Sequence, residues 1–336
     1  MASLRRAGEF TDLNFCGTGE QAGSRPWLRP ADLLVLLVST VLLAGSLIVW
    51  ARIPGGRWMM AVDVLLIALV LALRPGAVPT SSNLCWLRDL YIAPVIYLFY
   101  GQACLIARAL HQGRTFDTLL VDADRWIFGV DPTRWLANYT SPFVTEVLQL
   151  AYASFYVLFL LVTWDLLRSG KRKQFEVFSF GVVYGFGLSY LGYWLLPSVG
   201  PRFVLHRFSS LDSELPGLVL TPYLRAFVNW GGSIAPGASD QAAMAQAYPD
   251  VFPSGHTMMT LALIFWSFKF SSRVRWLIFG AGSLLIASTV YLRYHYVIDL
   301  LAGAGLACFC LASHTRLYDL VKGQLTRASR KQEMSA

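Results

Sequence analysis

Long apolar runs alternate with polar stretches along this chain. Eight runs stand out, near residues 31–51, 58–73, 89–110, 143–167, 176–197, 254–270, 275–292 and 295–313. A hydrocarbon core about 30 Å thick is crossed by about 20 apolar residues of helix, so the pattern predicts an all-α integral membrane protein with about eight transmembrane helices. The second and sixth runs are short. The first has no small-residue cleavage site behind it and reads as a retained helix, not a removed signal peptide.

Two polar stretches are long. Residues 111–142 read as amphipathic. Asp131 before Pro132 has the form of an N-cap and first helical turn, and Trp126, Phe128, Trp135 and Tyr139 suit the headgroup layer. Residues 203–250 form the longest loop. Within it Tyr223, Leu224, Phe227 and Val228 recur at helical spacing, with Trp230 nearby, which predicts a short helix lying on the membrane. Gly231 to Ala243 is rich in small residues and reads as the mobile part. No internal repeat is visible.

Composition sharpens this picture. Of 336 residues, 55% are hydrophobic and 14% charged, with a mean hydropathy of +0.50. Soluble domains carry about 25% charged residues, so a soluble globular protein and a disordered chain are both excluded. The net charge of +8 sits mostly in short loops, so it reports topology, and no nucleic-acid partner is expected. With the N-terminus inside, segments 1–30, 74–88, 168–175, 269–276 and 314–336 carry 4, 2, 4, 3 and 5 Lys and Arg. Arg168, Lys171, Arg172 and Lys173 crowd one short loop, and most acids fall on the opposite side. Both termini are therefore expected in the cytoplasm, with a bacterial inner (plasma) membrane as the setting. The five cysteines form no CxxC and no metal-ligand spacing, and read as apolar fillers.

Three polar groups interrupt the pattern at span ends, all on the side expected to face outward. The last span opens Arg293-Tyr294-His295-Tyr296-Val297-Ile298-Asp299. His295 and Asp299 are four apart and share a helix face. A carboxylate beside an imidazole holds one tautomer and makes the other nitrogen a better base or nucleophile. Arg293, at the same level, suits bidentate anion binding. The sixth span opens Phe252-Pro253-Ser254-Gly255-His256-Thr257. Its Pro suits a first turn, Ser254 and Gly255 leave N–H groups open to an anion, and His256 stands ready to donate a proton. The fifth span closes on Pro197-Ser198-Val199-Gly200-Pro201-Arg202 and projects Arg202 into the interface. Two histidines, a carboxylate and two arginines around one helix N-terminus suggest phosphoryl transfer, which needs a nucleophile, an acid for the leaving oxygen and positive charge on the equatorial oxygens.

Blander readings stand beside these. A lone histidine is usually structural, and either arginine suits an interfacial anchor. His111, His206 and His314 lack sequence partners and read as surface or interface residues. Asp63 reads as interfacial, and Glu146 as within reach of the pocket or an arginine.

The motifs resemble the type 2 phosphatidic acid phosphatase superfamily. Pro253-Ser254-Gly255-His256 matches its PSGH motif, and His295-x-x-x-Asp299 the HxxxD end of its third motif. The Gly200-Pro201-Arg202 spacing and the HYVIDLLAG stretch look more like the inositol phosphorylceramide synthase branch. The first motif, KxxxxxxRP, is altered: Leu195 stands seven before Arg202. Ser288 and Thr289 stand where the third motif has SR, leaving Arg293 as the substitute arginine. The resemblance covers about residues 89–313, a six-helix catalytic core, and leaves two extra helices at 31–88; the charge pattern adds a cytoplasmic segment at 1–30 and a basic cytoplasmic tail at 314–336. The resemblance implies a phosphatase or phosphotransferase acting on a phospholipid or other lipid phosphate at the outer face, with no cofactor and no metal. His295 would be the nucleophile and form a phosphohistidine, Asp299 would orient it and His256 would protonate the leaving group. Ser254, Gly255, Arg202 and Arg293 would hold the phosphate. The rival is a non-catalytic lipid-binding or transport protein with a reused site, which predicts broken helices near the midplane and inverted repeats. The oligomeric state is open.

Overall fold

The computed structural model describes residues 27–53, 55–74 and 85–335. The segment before Trp27, with Cys16, and residues 75–84 of the second expected inside loop lie outside the described residues. No strand occurs among the described residues. α1 (Pro30–Val49) and α2 (Gly56–Ala72) form a hairpin, followed by α3 (Cys85–Leu90) and α4 (Ile92–Leu110). The amphipathic stretch folds as α5 (Asp117–Phe128) and α6 (Pro132–Leu136). Then come α7 (Pro142–Ala153), α8 (Phe155–Arg168) and α9 (Arg172–Leu195). The long loop holds α10 (Pro201–Val204), α11 (Leu211–Glu214), α12 (Thr221–Gly231) and α13 (Asp240–Gln246), and the chain closes with α14 (Gly255–Lys269), α15 (Arg275–Tyr291) and α16 (Val297–Ser335).

Each expected apolar run is helical, yet fewer qualify as full spans by length and composition. Four do so among the described residues: Pro30–Arg52, Trp86–Leu110, Arg172–Leu195 and Val297–Lys331. α7 and α8 add a fifth if taken as one span, bent by 53° at Ser154. α2, α14 and α15 have 17, 15 and 17 residues. α14 and α15 are short because chain that would lengthen them at one end is spent on the turns 250–254 and 291–296. Irregular backbone at membrane depth is tolerated where it is buried in protein or lines a cavity.

α9 is the hub, packing against α1, α4, α8, α14 and α16. Small residues let the helices close on one another: Gly181 faces Trp266 and Gly185 faces Met259, each too near for a side chain of its own. Asp63 is not interfacial. It is fully buried and accepts from Gln102 Nε2 on α4 at 2.6 Å, which ties the N-terminal hairpin to the bundle. His314 is likewise internal, its Nε2 accepting from Trp266 Nε1 at 3.1 Å.

The bundle has two distinct ends. At one, Arg29 donates to Asp32 (2.7 Å) and Asp89 (3.1 Å), Tyr91 donates to Asp32 (2.8 Å), and Arg172 also pairs with Asp89. There Trp27 N donates to Ser329 Oγ at 3.1 Å, so the start of α1 and the end of α16 lie together. α16 has 39 residues, about 58 Å, so the segment expected as a tail continues its helix. At the opposite end lie the turns that carry the candidate residues.

Candidate active site

Three turns meet at that end, and their main chains are joined to one another. Val251 N donates to Ser198 O (3.2 Å), Ser254 N to Asp299 O (3.0 Å) and Arg202 N to Arg293 O (3.1 Å). Gly200 has φ +99°, and the Tyr294 carbonyl oxygen lies 2.6 Å from where its Cβ would stand, so only glycine fits. α5 supports the cluster from the side. Asp117 accepts from Val199 N (3.1 Å), Gly200 N (2.8 Å) and the Tyr296 hydroxyl (3.0 Å). Asp124 accepts from Val297 N (2.9 Å) and Ile298 N (2.8 Å), two donors that the first turn of α16 leaves free. Burial pushes the Asp124 carboxyl upward, and these two N–H groups pull it back.

His295 is buried. Its Nδ1 lies 3.1 Å from the Val251 carbonyl oxygen and 3.6 Å from Asp299 Oδ2. The nearer partner is therefore a main-chain carbonyl, and the carboxylate stands behind it. Asp299 Oδ2 accepts from Tyr296 N at 2.8 Å, while Oδ1 is buried without a hydrogen bond. The ring of His256 sits 5.6 Å from that of His295, centroid to centroid. Tyr152 stacks on His256 at 4.6 Å and Phe155 flanks it at 4.5 Å. Ser254 caps α14, its Oγ accepting from Thr257 N at 3.2 Å, and Gly255 abuts the Tyr193 hydroxyl.

The two arginines differ. Arg202 is buried and lines the same cavity as the histidines. Its guanidinium carbon lies 4.9 Å above the Tyr294 ring, one terminal nitrogen donates to Asn229 Oδ1 at 3.0 Å, and its Nε is buried without a partner. Arg293, fully buried, is paired with Glu214 of α11 and is not among the residues lining that cavity. Its φ of +65° turns the chain between α15 and α16. Glu146 does not reach an arginine or line the cavity. Its carboxylate accepts from the backbone N–H groups of Leu218, Val219, Leu220 and Thr221, so α7 holds the start of α12.

The cavity has a volume of about 440 Å³, within the usual range for ligand sites. His256, His295, Arg202 and Asp250 line one end of it. Asp250 accepts from the Tyr100 hydroxyl at 2.7 Å, and burial pushes its carboxyl upward. Sequence reasoning missed Asp117, Asp124, Tyr100 and the place of Asp250. The acids of α5 left one signal: seven residues apart, they share the inner face of an amphipathic helix.

Residues 118–313 match the family described as the PAP2 superfamily. A PA-phosphatase related-family protein of Dictyostelium discoideum is 25% identical over 185 residues, which is 50% of this chain and 31% of that protein. The chain thus spans about a third of the length of this curated relative. No solved structure matches the chain. The family match takes in all three turns and covers more than half of the sequence: the chain belongs to the PAP2 superfamily.

Proposed function

We propose that this protein is a lipid-phosphate phosphatase or phosphotransferase working through a phosphohistidine on His295. The observation that carries the reading is the pair of imidazoles 5.6 Å apart at one end of a cavity, beside the buried and partly unpaired Arg202.

A proton on Nδ1 of His295 serves both the Val251 carbonyl and Asp299, which leaves the lone pair on Nε2. That nitrogen attacks phosphorus, and the bond to the leaving oxygen breaks. His256, entering protonated, gives its proton to that oxygen. In the second step neutral His256 takes a proton from water or an alcohol, whose oxygen attacks the phosphohistidine and frees Nε2. Arg202 and the N–H groups opening α14 stabilise the equatorial oxygens throughout. Arg293 acts one step back, holding the turn through Glu214, and meets phosphate directly only where that pair opens. The excess of Lys and Arg at the opposite end of the bundle supports a site at the outer face with both termini inside, and lean loops support a bacterial inner membrane.

The test uses purified protein and His295→Ala in liposomes with radiolabelled lipid phosphates, with or without ceramide or diacylglycerol as acceptor. The expected result is an acid-labile, base-stable phosphoenzyme in the wild type, absent in His295→Ala, with turnover down by about 10³-fold or more. Free phosphate as product identifies a phosphatase. A new acceptor-dependent lipid identifies a transferase of the inositol phosphorylceramide synthase kind. Equal silence of both folded proteins would favour the lipid-binding alternative.

A further inference from the structure

The acids that support the three turns are spent on the fold. Asp117 and Asp124 hold main-chain N–H groups of two turns, Glu146 holds those that open α12, and Asp299 holds Tyr296 N. Asp250 is different. It lines the histidine end of the cavity, and the mechanism above gives it no task. The Tyr100 hydroxyl donates to its Oδ2 at 2.7 Å. The ion pairs at this end of the bundle, among the described residues, fall to Asp131, Asp212, Glu214 and Asp299 and pass it by. Its place is fixed nonetheless. The next residue, Val251, donates from N to Ser198 O at 3.2 Å, and its carbonyl oxygen lies 3.1 Å from His295 Nδ1. The carboxylate is thus locked to the turn that holds the candidate nucleophile. Tyr100 in turn is braced edge-on against Tyr248, ring centroids 5.5 Å apart.

An ionised carboxylate offers only acceptors, and it repels phosphate. Positive charge on His295 and Arg202 favours the ionised form. Whatever meets this group in the cavity has to bring a hydrogen of its own, because a carboxylate away from water is costly without donors. In the second step the attacking oxygen gives its proton to His256. Water still has its other O–H to offer. An alcohol has carbon there instead, and a donor only where a neighbouring group carries one.

We infer that Asp250 binds the phosphoryl acceptor through a second hydrogen-bond donor beside the attacking hydroxyl, with Tyr100 as its positioning residue. The inference rests on the phosphohistidine reading. The acceptors it admits are water and alcohols with a hydroxyl or N–H on a carbon next to the attacking one, and it disfavours alcohols with a single donor. The acceptor oxygen bonds to phosphorus, and the bond from phosphorus to His295 Nε2 breaks with its electron pair left on nitrogen. The acceptor's proton passes to His256, and the second donor keeps its hydrogen throughout. An acceptor without that donor sets carbon against a buried carboxylate oxygen. Such a loss is how a site that hydrogen-bonds a hydroxyl rejects the analogue lacking it.

The test uses the full chain in detergent with an eight-carbon alkyl phosphate, whose leaving alcohol has no second donor. Ethylene glycol and its monomethyl ether are offered together at equal concentration. They share a skeleton, and the ether has its second hydroxyl masked. Free phosphate and the two phosphate esters are counted by phosphorus NMR, and phosphoenzyme formation is followed separately as a burst. The wild type should make at least tenfold more glycol ester than ether ester, against a factor of about two from the number of hydroxyls alone. Asp250→Ala should bring the ratio down to about two and slow phosphoenzyme decay at least tenfold, with the burst within about threefold of wild type. Tyr100→Phe should lower the ratio at least threefold, and it decides alone if Asp250→Ala fails to fold. Free phosphate as sole product, its release slowed in the variants while the burst persists, would assign the second donor to water itself. A wild-type ratio of about two, or variants that lose turnover with the ratio or the decay rate intact, would overturn the inference and leave the phosphohistidine reading standing. Absence of any phosphoenzyme in the wild type would sink both.

Discussion

At the residue scale, the site is held by main-chain contacts as much as by side chains. The Val251 carbonyl is nearer to His295 Nδ1 than Asp299 is, at 3.1 against 3.6 Å. Asp299→Asn keeps an acceptor for Tyr296 N and removes only the charge. We expect kcat to fall by about 10- to 100-fold in Asp299→Asn, well short of the loss in His295→Ala, with KM little changed in steady-state assays. A second prediction concerns His206, bonded to Thr133 and facing Glu214, Arg293, Arg134 and Asp131. Burial, then the charge of Arg293, lowers its pKa from 6.5 to about 4. As pH falls below about 6.5 the unfolded chain takes up this proton and the folded chain does not. The stability contribution is therefore full above 6.5 and declines toward 4. His206→Gln should flatten the fall of Tm between these two values, measured by thermal melts in detergent. The histidines and Asp299 were legible in the sequence because each sits in a motif with fixed spacing. Asp117 and Asp250 were not, because their partners lie 82 and 150 residues away.

At the element scale, the apolar runs gave the helices but not their interruptions. The 53° bend at Ser154 has no proline or glycine to mark it, and a hydropathy window passes straight over it. Likewise α16 continues into polar sequence because Tyr318 and Ser329 are packed there, a tertiary effect invisible to composition. Contact between α14 and α16 sets the site, since Asp299 and Ser254 meet through the backbone. One turn on, Gly303 stands where a Cβ would come within 2.6 Å of the Ser254 carbonyl oxygen. Gly303→Ala should push the two helices apart, cost about 1–3 kcal/mol of stability and lower kcat several-fold, although the residue is outside the cavity. Normal activity with unchanged Tm would refute this.

At the scale of the whole molecule, the two ends carry opposite kinds of chemistry. One gathers both described chain ends and a buried ionic cluster, and the other gathers the three turns. Their separation makes sidedness testable in a cysteine-free background. Leu218→Cys, at the histidine end, should react with an impermeant maleimide on intact cells, and Arg168→Cys only after permeabilisation. The reverse pattern would invert the proposed orientation. Family membership was legible from two short motifs because such turns demand particular residues. The cavity was not, since its walls come from eight helices spread over the chain and from the turns between them. One feature of those walls governs how rates must be counted. α12, fastened to α7 through Glu146, lies over the histidine end with Phe227, Val228 and Trp230 in the cavity wall, while between α4 and α8 the partly exposed lining residues Tyr97, Tyr156 and Leu160 leave the cavity open to one side. A lipid reaching the histidines through that opening comes from the bilayer plane. Turnover should then saturate with the mole fraction of substrate among its neighbours, and diluting it with inert lipid at constant bulk concentration should slow the reaction as if substrate had been withdrawn.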